Sequence, residues 1–292
     1  MELGNTKLIE LANIEKMHDL SSKIYAKVEN TNPSGSIKDK TVYNMLLDYK
    51  EKGILKADSV VVEATSGNTG IGLSYFSKEF GYKCIIVMPD NVSVQRRELI
   101  SQYGGEVILV RGGMKECNEK AQEILNKDKN AFLFGQFDSI ANPMAHYKWT
   151  GPEIYKQCPD VDYVFAGVGT GGTISGIGKF FKENKKEVKI IGVEPLESPL
   201  LTKGYAGSHL IQGIGANFVP KTFLNQYVDE IVPVKGTESI EYAKEIRSVE
   251  NIDIGISSGA ALLGAINYIK DNNIVGKNVV VIFPDKGDRY SW

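Results

Sequence analysis

The stretch "DSVVVEATSGNTGIGLSYFSKEFGYKCIIVMP", Asp58 to Pro89, decides the fold. "DSVVVEAT" is a short β-branched run that reads as a strand, and "GIGLSYFSKEFG" after it has helical periodicity. "YKCIIVMP" is apolar without alternation. Strands that show no polar face are covered on both sides, and such strands separated by helices predict parallel pairing in an α/β sheet. The cycle continues through "SVQRRELISQYG", "GEVILVRG", "MKECNEKAQEILNKD" and "AFLFGQF". A second series starts near Gly151, with "GPEIYKQC" and "TISGIGKFFKENK" as helices and "VDYVFAGVG" and "VKIIGVEP" as strands. It resumes with the helices "ESIEYAKEIRSVEN" and "GAALLGAINYIKDN" and the strand "KNVVVIFP". Two parallel sheets flanked by helices are expected. The glycine-rich span from Pro195 to Pro220 lacks periodicity, which in a compact domain marks a functional loop.

Bulk properties narrow the function. At 292 residues the chain can hold two domains, and a net charge of -2 with both signs interspersed offers no basic face for nucleic acid or anionic lipid. Small molecules or other proteins are the expected partners. The longest apolar runs fall far short of the roughly 20 residues of a spanning helix, and the N-terminus has no signal-peptide pattern. Cys84, Cys117 and Cys158 form no C-x-x-C pair and suit a reducing cytosol, so the expected location is cytoplasmic. His18, His146 and His209 are widely separated, and no metal site is expected.

Ligands of open α/β sheets bind beyond the carboxyl ends of the strands, so the turns there are informative. "EATSGNTGIG", Glu63 to Gly72, opens a helix whose first N–H groups face any anion placed there, and Thr65, Ser66, Asn68 and Thr69 add short polar side chains. A plain capped turn needs only one such residue. "GVGTGGTISG", Gly167 to Gly176, fits the dinucleotide fingerprint through Gly167, Gly169 and Gly172, with Glu194 about 20 residues on as a ribose-binding acid. An NAD-dependent oxidoreductase is therefore one alternative, although closely spaced amides and two threonines suit a phosphate monoester at least as well. Gly178-Lys179 lacks the spacing of a Walker A loop. Gly255-x-Ser257-x-Gly259 resembles a nucleophile elbow, but no histidine follows it, which excludes the hydrolase order. Helix capping is the plain reading of Ser257 and Ser258. In "NPSGSIKDK", Pro33 and Gly35 force a turn and Lys38 stands where a helix begins. The positive end of the helix dipole disfavours an ammonium there and exposes a nucleophilic amine; Lys40 serves as the solvated control.

An amine nucleophile, a phosphate cradle and a second anion site together suit pyridoxal 5'-phosphate. The chain resembles the fold-type II pyridoxal-phosphate enzymes, and within them the cysteine synthases (O-acetylserine sulfhydrylases), over nearly its whole length. The resemblance rests on "GNTKLIEL", "NPSGSIKDK", "EATSGNTGIGLS", "NPMAHYKWTGPEIY", "AGVGTGGTISG", "GVEP", "IQGIGANFVP", "ISSGAAL" and "FPDKGDRY", in that order. It implies a smaller α/β domain over residues 36–135 with a mobile segment that closes on substrate. A larger domain over 1–35 and 136–292 would carry the phosphate loop, with the cofactor in the cleft between the two.

The resemblance also implies that Lys38 bonds the cofactor aldehyde and acts as the catalytic base. Asn68 would bond the ring hydroxyl, and Gly169, Thr170, Gly171, Gly172 and Thr173 would hold the phosphate. Ser257, with Ser258 adjacent, would face the pyridine nitrogen. Thr65, Ser66, Thr69 and Gln136 would take the substrate α-carboxylate. The implied reaction makes L-cysteine from O-acetyl-L-serine and sulfide through an α-aminoacrylate. Alternatives are a cysteine desulfhydrase releasing hydrogen sulfide and a cystathionine β-synthase-like activity. A homodimer, and a serine acetyltransferase C-terminal tail as partner, are implied as well. Lys7, Trp149 and Asn217 replace the family's usual proline, threonine and glycine, and no cystathionine β-synthase-type regulatory domain is expected after "FPDKGDRYSW".

Overall fold

The computed structural model describes residues 3–184 and 187–290. Two compact units are present, one formed by the chain up to Ile37 and again from Asn142, the other by Lys38–Ala141. The first begins with β1 (Lys7–Glu10), α1 (Ala12–Met17) and β2 (Lys23–Val28). The second comprises α2 (Lys38–Glu51), β3 (Val60–Ala64), α3 (Asn68–Phe80), β4 (Lys83–Pro89), α4 (Val94–Gln102), β5 (Glu106–Val110), α5 (Met114–Lys127) and β6 (Ala131–Leu133). After α6 (Ala141–Ala145) and a π-helical turn at His146–Thr150 come α7 (Gly151–Gln157), β7 (Tyr163–Gly167), α8 (Gly172–Asn184), β8 (Lys189–Pro195) and α9 (Leu200–Lys203). The first unit is completed by β9 (Glu230–Val234), α10 (Gly236–Val249), α11 (Ile256–Asp271) and β10 (Asn278–Phe283).

The sheet of the second unit has the order β5-β4-β3-β6 and is parallel throughout. Every residue of β3 is buried, as its apolar run demands of a strand covered on both faces, and Glu63 is buried with the rest. Val60, Val62, Ala64 and Val87 pack there with Cys117 and Ala121 of α5. Helix α2 lies against α3, where the Tyr43 ring meets Phe76 and Phe80 at 5.5 and 5.6 Å. α3 starts at Asn68, ahead of the Gly70 start that periodicity suggests, because the Gly70 N–H already closes on the Gly67 carbonyl at 3.1 Å.

The sheet of the first unit has the order β1-β2-β10-β7-β8-β9. It is parallel except at its edge, where β1 pairs antiparallel to β2 with Lys7 opposite Val28. α11 is buried almost all round, as its apolar composition requires, and Leu262, Ala265 and Ile266 share a core with Val193, Val279, Val281 and Phe283. Lys40 departs from expectation. It is fully buried, because the first turn of α2 is enclosed from Asp39 through Val42 with its polar side chains included.

Candidate active site

In the second unit the substrate turn leaves β3 and enters α3. Thr65 is 6 % exposed, its N–H reaches the Val87 carbonyl at 3.0 Å, and its hydroxyl accepts the Gly67 N–H at 3.3 Å. Gly67, the N-cap, is extended and offers no side-chain cap, so the positive end of α3 opens at this turn. Ser66 and Asn68 are half-buried. The Thr69 hydroxyl donates to Gln136 Oε1 at 2.6 Å, which joins the turn after β3 to the turn after β6. Thr65, Ser66, Asn68, Thr69 and Gln136 thus form one polar cluster. Lys38 is half-buried as the first residue of α2, at the point where the chain passes from the first unit into the second.

In the first unit the phosphate turn runs from the end of β7 into the first turn of α8. A Cβ on Gly169 would strike the Gly213 carbonyl, and the Gly215 N–H bonds the Val168 carbonyl at 2.9 Å. The glycine-rich loop is therefore a backbone brace for this turn. Gly171 has φ +78°, and a Cβ there would meet Phe223 Cβ at 2.6 Å. The Thr170 hydroxyl accepts from Asn142 Nδ2 at 3.1 Å and from the Gly172 N–H at 3.3 Å, while its carbonyl accepts the Thr222 hydroxyl at 2.6 Å. Buried His146 bridges Thr150 Oγ1 at 3.0 Å and Thr173 Oγ1 at 3.3 Å. A glycine-rich turn where added Cβ atoms at Gly169 and Gly171 would clash, opening a helix and clamped from behind, fits a phosphate monoester. Ser257 lies in the first turn of α11, 4 % exposed. Its neighbour Ser258 is fully buried with no hydrogen-bond partner for its hydroxyl among the described residues, so either serine could serve a ring nitrogen.

Glu194 does not behave as a ribose-binding acid. It is 2 % exposed, and its carboxylate accepts the N–H groups of Leu201 and Thr202 at 2.8 and 3.1 Å as well as the Thr202 hydroxyl. A carboxylate so committed to its own loop leaves the dinucleotide alternative without its acid. The clamps Asn142, His146 and Thr222, and Arg96, whose Nη1 donates to the Ser66 carbonyl at 2.7 Å, were not legible as site residues in the sequence. Each has a partner, a backbone atom or a hydroxyl, 27 or more residues away along the chain. Glu63 had a readable signal, a lone acid within an otherwise apolar buried strand. Its carboxyl is pushed up to about 7, chiefly by burial, against the N–H groups of Gly135 and Gln136 that pull it down.

Comparison with known proteins converges on one family. A model described as pyridoxal-phosphate dependent enzyme matches residues 1–285. A cysteine synthase from Buchnera aphidicola subsp. Schizaphis graminum is 44 % identical over 99 % of this chain and 92 % of its own length. Among solved structures, a hydrogen sulfide-producing enzyme from Fusobacterium nucleatum is 40 % identical, with TM-score 0.94 over 99 % of this chain and 96 % of that one. An O-acetyl serine sulfhydrylase, isoform 3, from Entamoeba histolytica is 37 % identical, with TM-score 0.93 over 99 % of this chain and 88 % of that one. With these glycine turns, this lysine at a helix start and these matches over almost its full length, the chain belongs to the pyridoxal-phosphate-dependent enzymes.

Proposed function

We infer that the protein is a pyridoxal-phosphate-dependent cysteine synthase that exchanges the acetoxy group of O-acetyl-L-serine for sulfide, giving L-cysteine and acetate. The observation that carries this reading is the near full-length match to a cysteine synthase. The polar cluster of Thr69 and Gln136 at the start of α3 supports it as a receptor for an amino-acid carboxylate.

Pyridoxal phosphate, when bound, withdraws electrons from the substrate α-carbon, so that its proton becomes acidic and the β-substituent can leave. In our reading Gly169, Thr170, Gly171, Gly172 and Thr173 hold the phosphate, Lys38 Nζ bonds the aldehyde, and Asn68 bonds the ring hydroxyl. Ser257 offers the ring nitrogen a neutral hydroxyl, which moderates electron withdrawal and favours β-replacement over transamination. Thr65, Ser66, Thr69 and Gln136 would fix the carboxylate, and Lys38 Nζ, once the substrate amine has taken its place at the aldehyde, would be free to take up the α-proton and return it. Closure of the segment around residues 75–130 on carboxylate binding excludes water. The reading also makes the protein a cytoplasmic homodimer able to bind the C-terminal tail of a serine acetyltransferase. Sedimentation and competition by a tail peptide test those two assemblies.

The central test adds O-acetyl-L-serine and then sulfide to the purified holoenzyme, with the cofactor absorbance followed and cysteine assayed. Wild type should change spectrum on the first addition and yield cysteine on the second, and Lys38→Ala should yield none. Hydride trapping should place the cofactor on Lys38 in the mass spectrum; a label elsewhere, or no cysteine from the wild type, overturns the assignment. A second reading, sulfide release from cysteine, is favoured by the hydrogen sulfide-producing neighbour and by exposed Asn217 in the loop that braces the phosphate turn. Sulfide release from cysteine alone that outpaces synthesis would establish it.

A further inference from the structure

The reaction as outlined makes no use of Glu63. It is the acid in β3, 4 % exposed, and it sits where the parallel ladder between β3 and β6 runs out. The Phe134 N–H still finds the Val62 carbonyl at 2.9 Å. The next two N–H groups have no strand opposite them and turn to the Glu63 carboxylate, Gly135 to Oε2 at 3.0 Å and Gln136 to Oε1 at 3.4 Å. The Gln136 side-chain amide donates to the same carboxylate. That fixes the amide's orientation, because its NH2 group faces Glu63 and its oxygen is left to accept the Thr69 hydroxyl at 2.6 Å. One buried acid therefore aims the turn and the side chain that complete the carboxylate cluster.

The largest influences on the Glu63 carboxyl are burial, the N–H donors of Gly135 and Gln136, and one like charge. Tyr49 of α2 and Cys84 of β4 each feel its charge and are themselves pushed up to about 12, chiefly by burial, and so are neutral, while Asp138 of the turn after β6 adds a like charge. The donors of Gly135 and Gln136 favour the ionised form. A protonated carboxyl turns one of its acceptor sites into a donor and loses its charge, so it holds these N–H groups more weakly.

We propose that Glu63 is a positioning residue for the amino-acid substrate: ionised, it holds the Gly135–Gln136 turn and Gln136 against Thr69, and on taking up a proton it releases them. The inference rests on the reading that Thr69 and Gln136 receive the substrate carboxylate. With its carboxyl at about 7, Glu63 would change state within the working range of the enzyme.

The test measures KM and kcat for O-acetyl-L-serine between about pH 6 and pH 8 for holoenzyme of wild type, Glu63→Gln and Gln136→Ala. Wild-type KM should rise about tenfold as the pH falls across this range, with kcat changed much less, as expected for loss of a charge-assisted contact. In Glu63→Gln, KM should be high and lack that step. Gln136→Ala keeps the acid but cuts its link to the substrate, so its KM should also be raised and flat. Should Glu63→Gln fail to fold, the wild-type and Gln136→Ala profiles still decide. A step in the first and none in the second supports the proposal, and the same step in both overturns it. An unchanged KM in Gln136→Ala would place the carboxylate site elsewhere and remove the reading beneath. A raised KM in Gln136→Ala with the step intact in Glu63→Gln would overturn the role of Glu63 alone.

Discussion

A methyl group at Gly171 would collide with Phe223 and would have to sit at φ +78°, where side chains are strained. Gly171→Ala is therefore expected to weaken cofactor binding by about 1–3 kcal/mol, read as a raised Kd in a pyridoxal-phosphate titration, with the fold intact by circular dichroism. An unchanged Kd would mean that the turn does not hold the phosphate. Lys27 presents a different kind of dependence. Its ammonium, fully enclosed, donates to the Thr6 carbonyl at 2.6 Å and to Gln157 Oε1 at 2.9 Å, and lies 2.8 Å from the Glu153 carboxylate. Removing one partner of a buried pair leaves the other uncompensated, so Lys27→Ala should cost about 3–5 kcal/mol in urea unfolding. A loss below about 1 kcal/mol, the range of an exposed pair, would contradict that account.

Helix α4 is tied to the substrate turn through Arg96 and the Ser66 carbonyl, while Arg97 donates to the carbonyls of Asp90 and Val92. Arg96→Ala should free the turn from the helix and raise KM for the amino acid roughly fivefold, the worth of one hydrogen bond of about 1 kcal/mol; a KM within experimental error of wild type would show that the tie does not matter to binding. The elements most legible in the sequence were those whose burial left an unbroken signature. β3, β4, β7, β8 and β10 are apolar runs, and the turns at their carboxyl ends carry the glycines and hydroxyls that marked the site. Strands β2 and β9 are illegible in the sequence for physical reasons. β2 carries Lys27, a charge hidden by partners distant in sequence, and β9 contains Pro233, which sheets accept mainly at an edge, where β9 lies. The clamps behind the phosphate turn were illegible for the same reason as Lys27, since nothing local announces a hydrogen bond to a residue tens of positions away.

Over the whole molecule, Glu63 sets stability against function. Its carboxyl stands at about 7 in the folded chain against the ordinary 4.5, so the folded state holds the proton more tightly than the unfolded one. The stability this group contributes is fully present below the unfolded value and is lost as the pH rises through the folded one. Wild type should therefore lose Tm relative to Glu63→Gln between about pH 5 and pH 8, and a constant Tm difference would show that Glu63 does not titrate there. The ionised form proposed to position substrate is thus the less stable one, a trade often found where buried polar groups serve a site.

The strand order of the larger sheet bears on how the protein is made. β10 lies between β2 and β7, yet among the described residues it is the last strand to be synthesised. The segment Lys38–Ala141 is continuous and is synthesised whole, while β2 waits with an open edge for a neighbour not yet synthesised. The larger sheet therefore closes only after translation has passed Phe283, and premature termination before that point would leave exposed apolar strands for chaperones or proteases rather than a partly working enzyme.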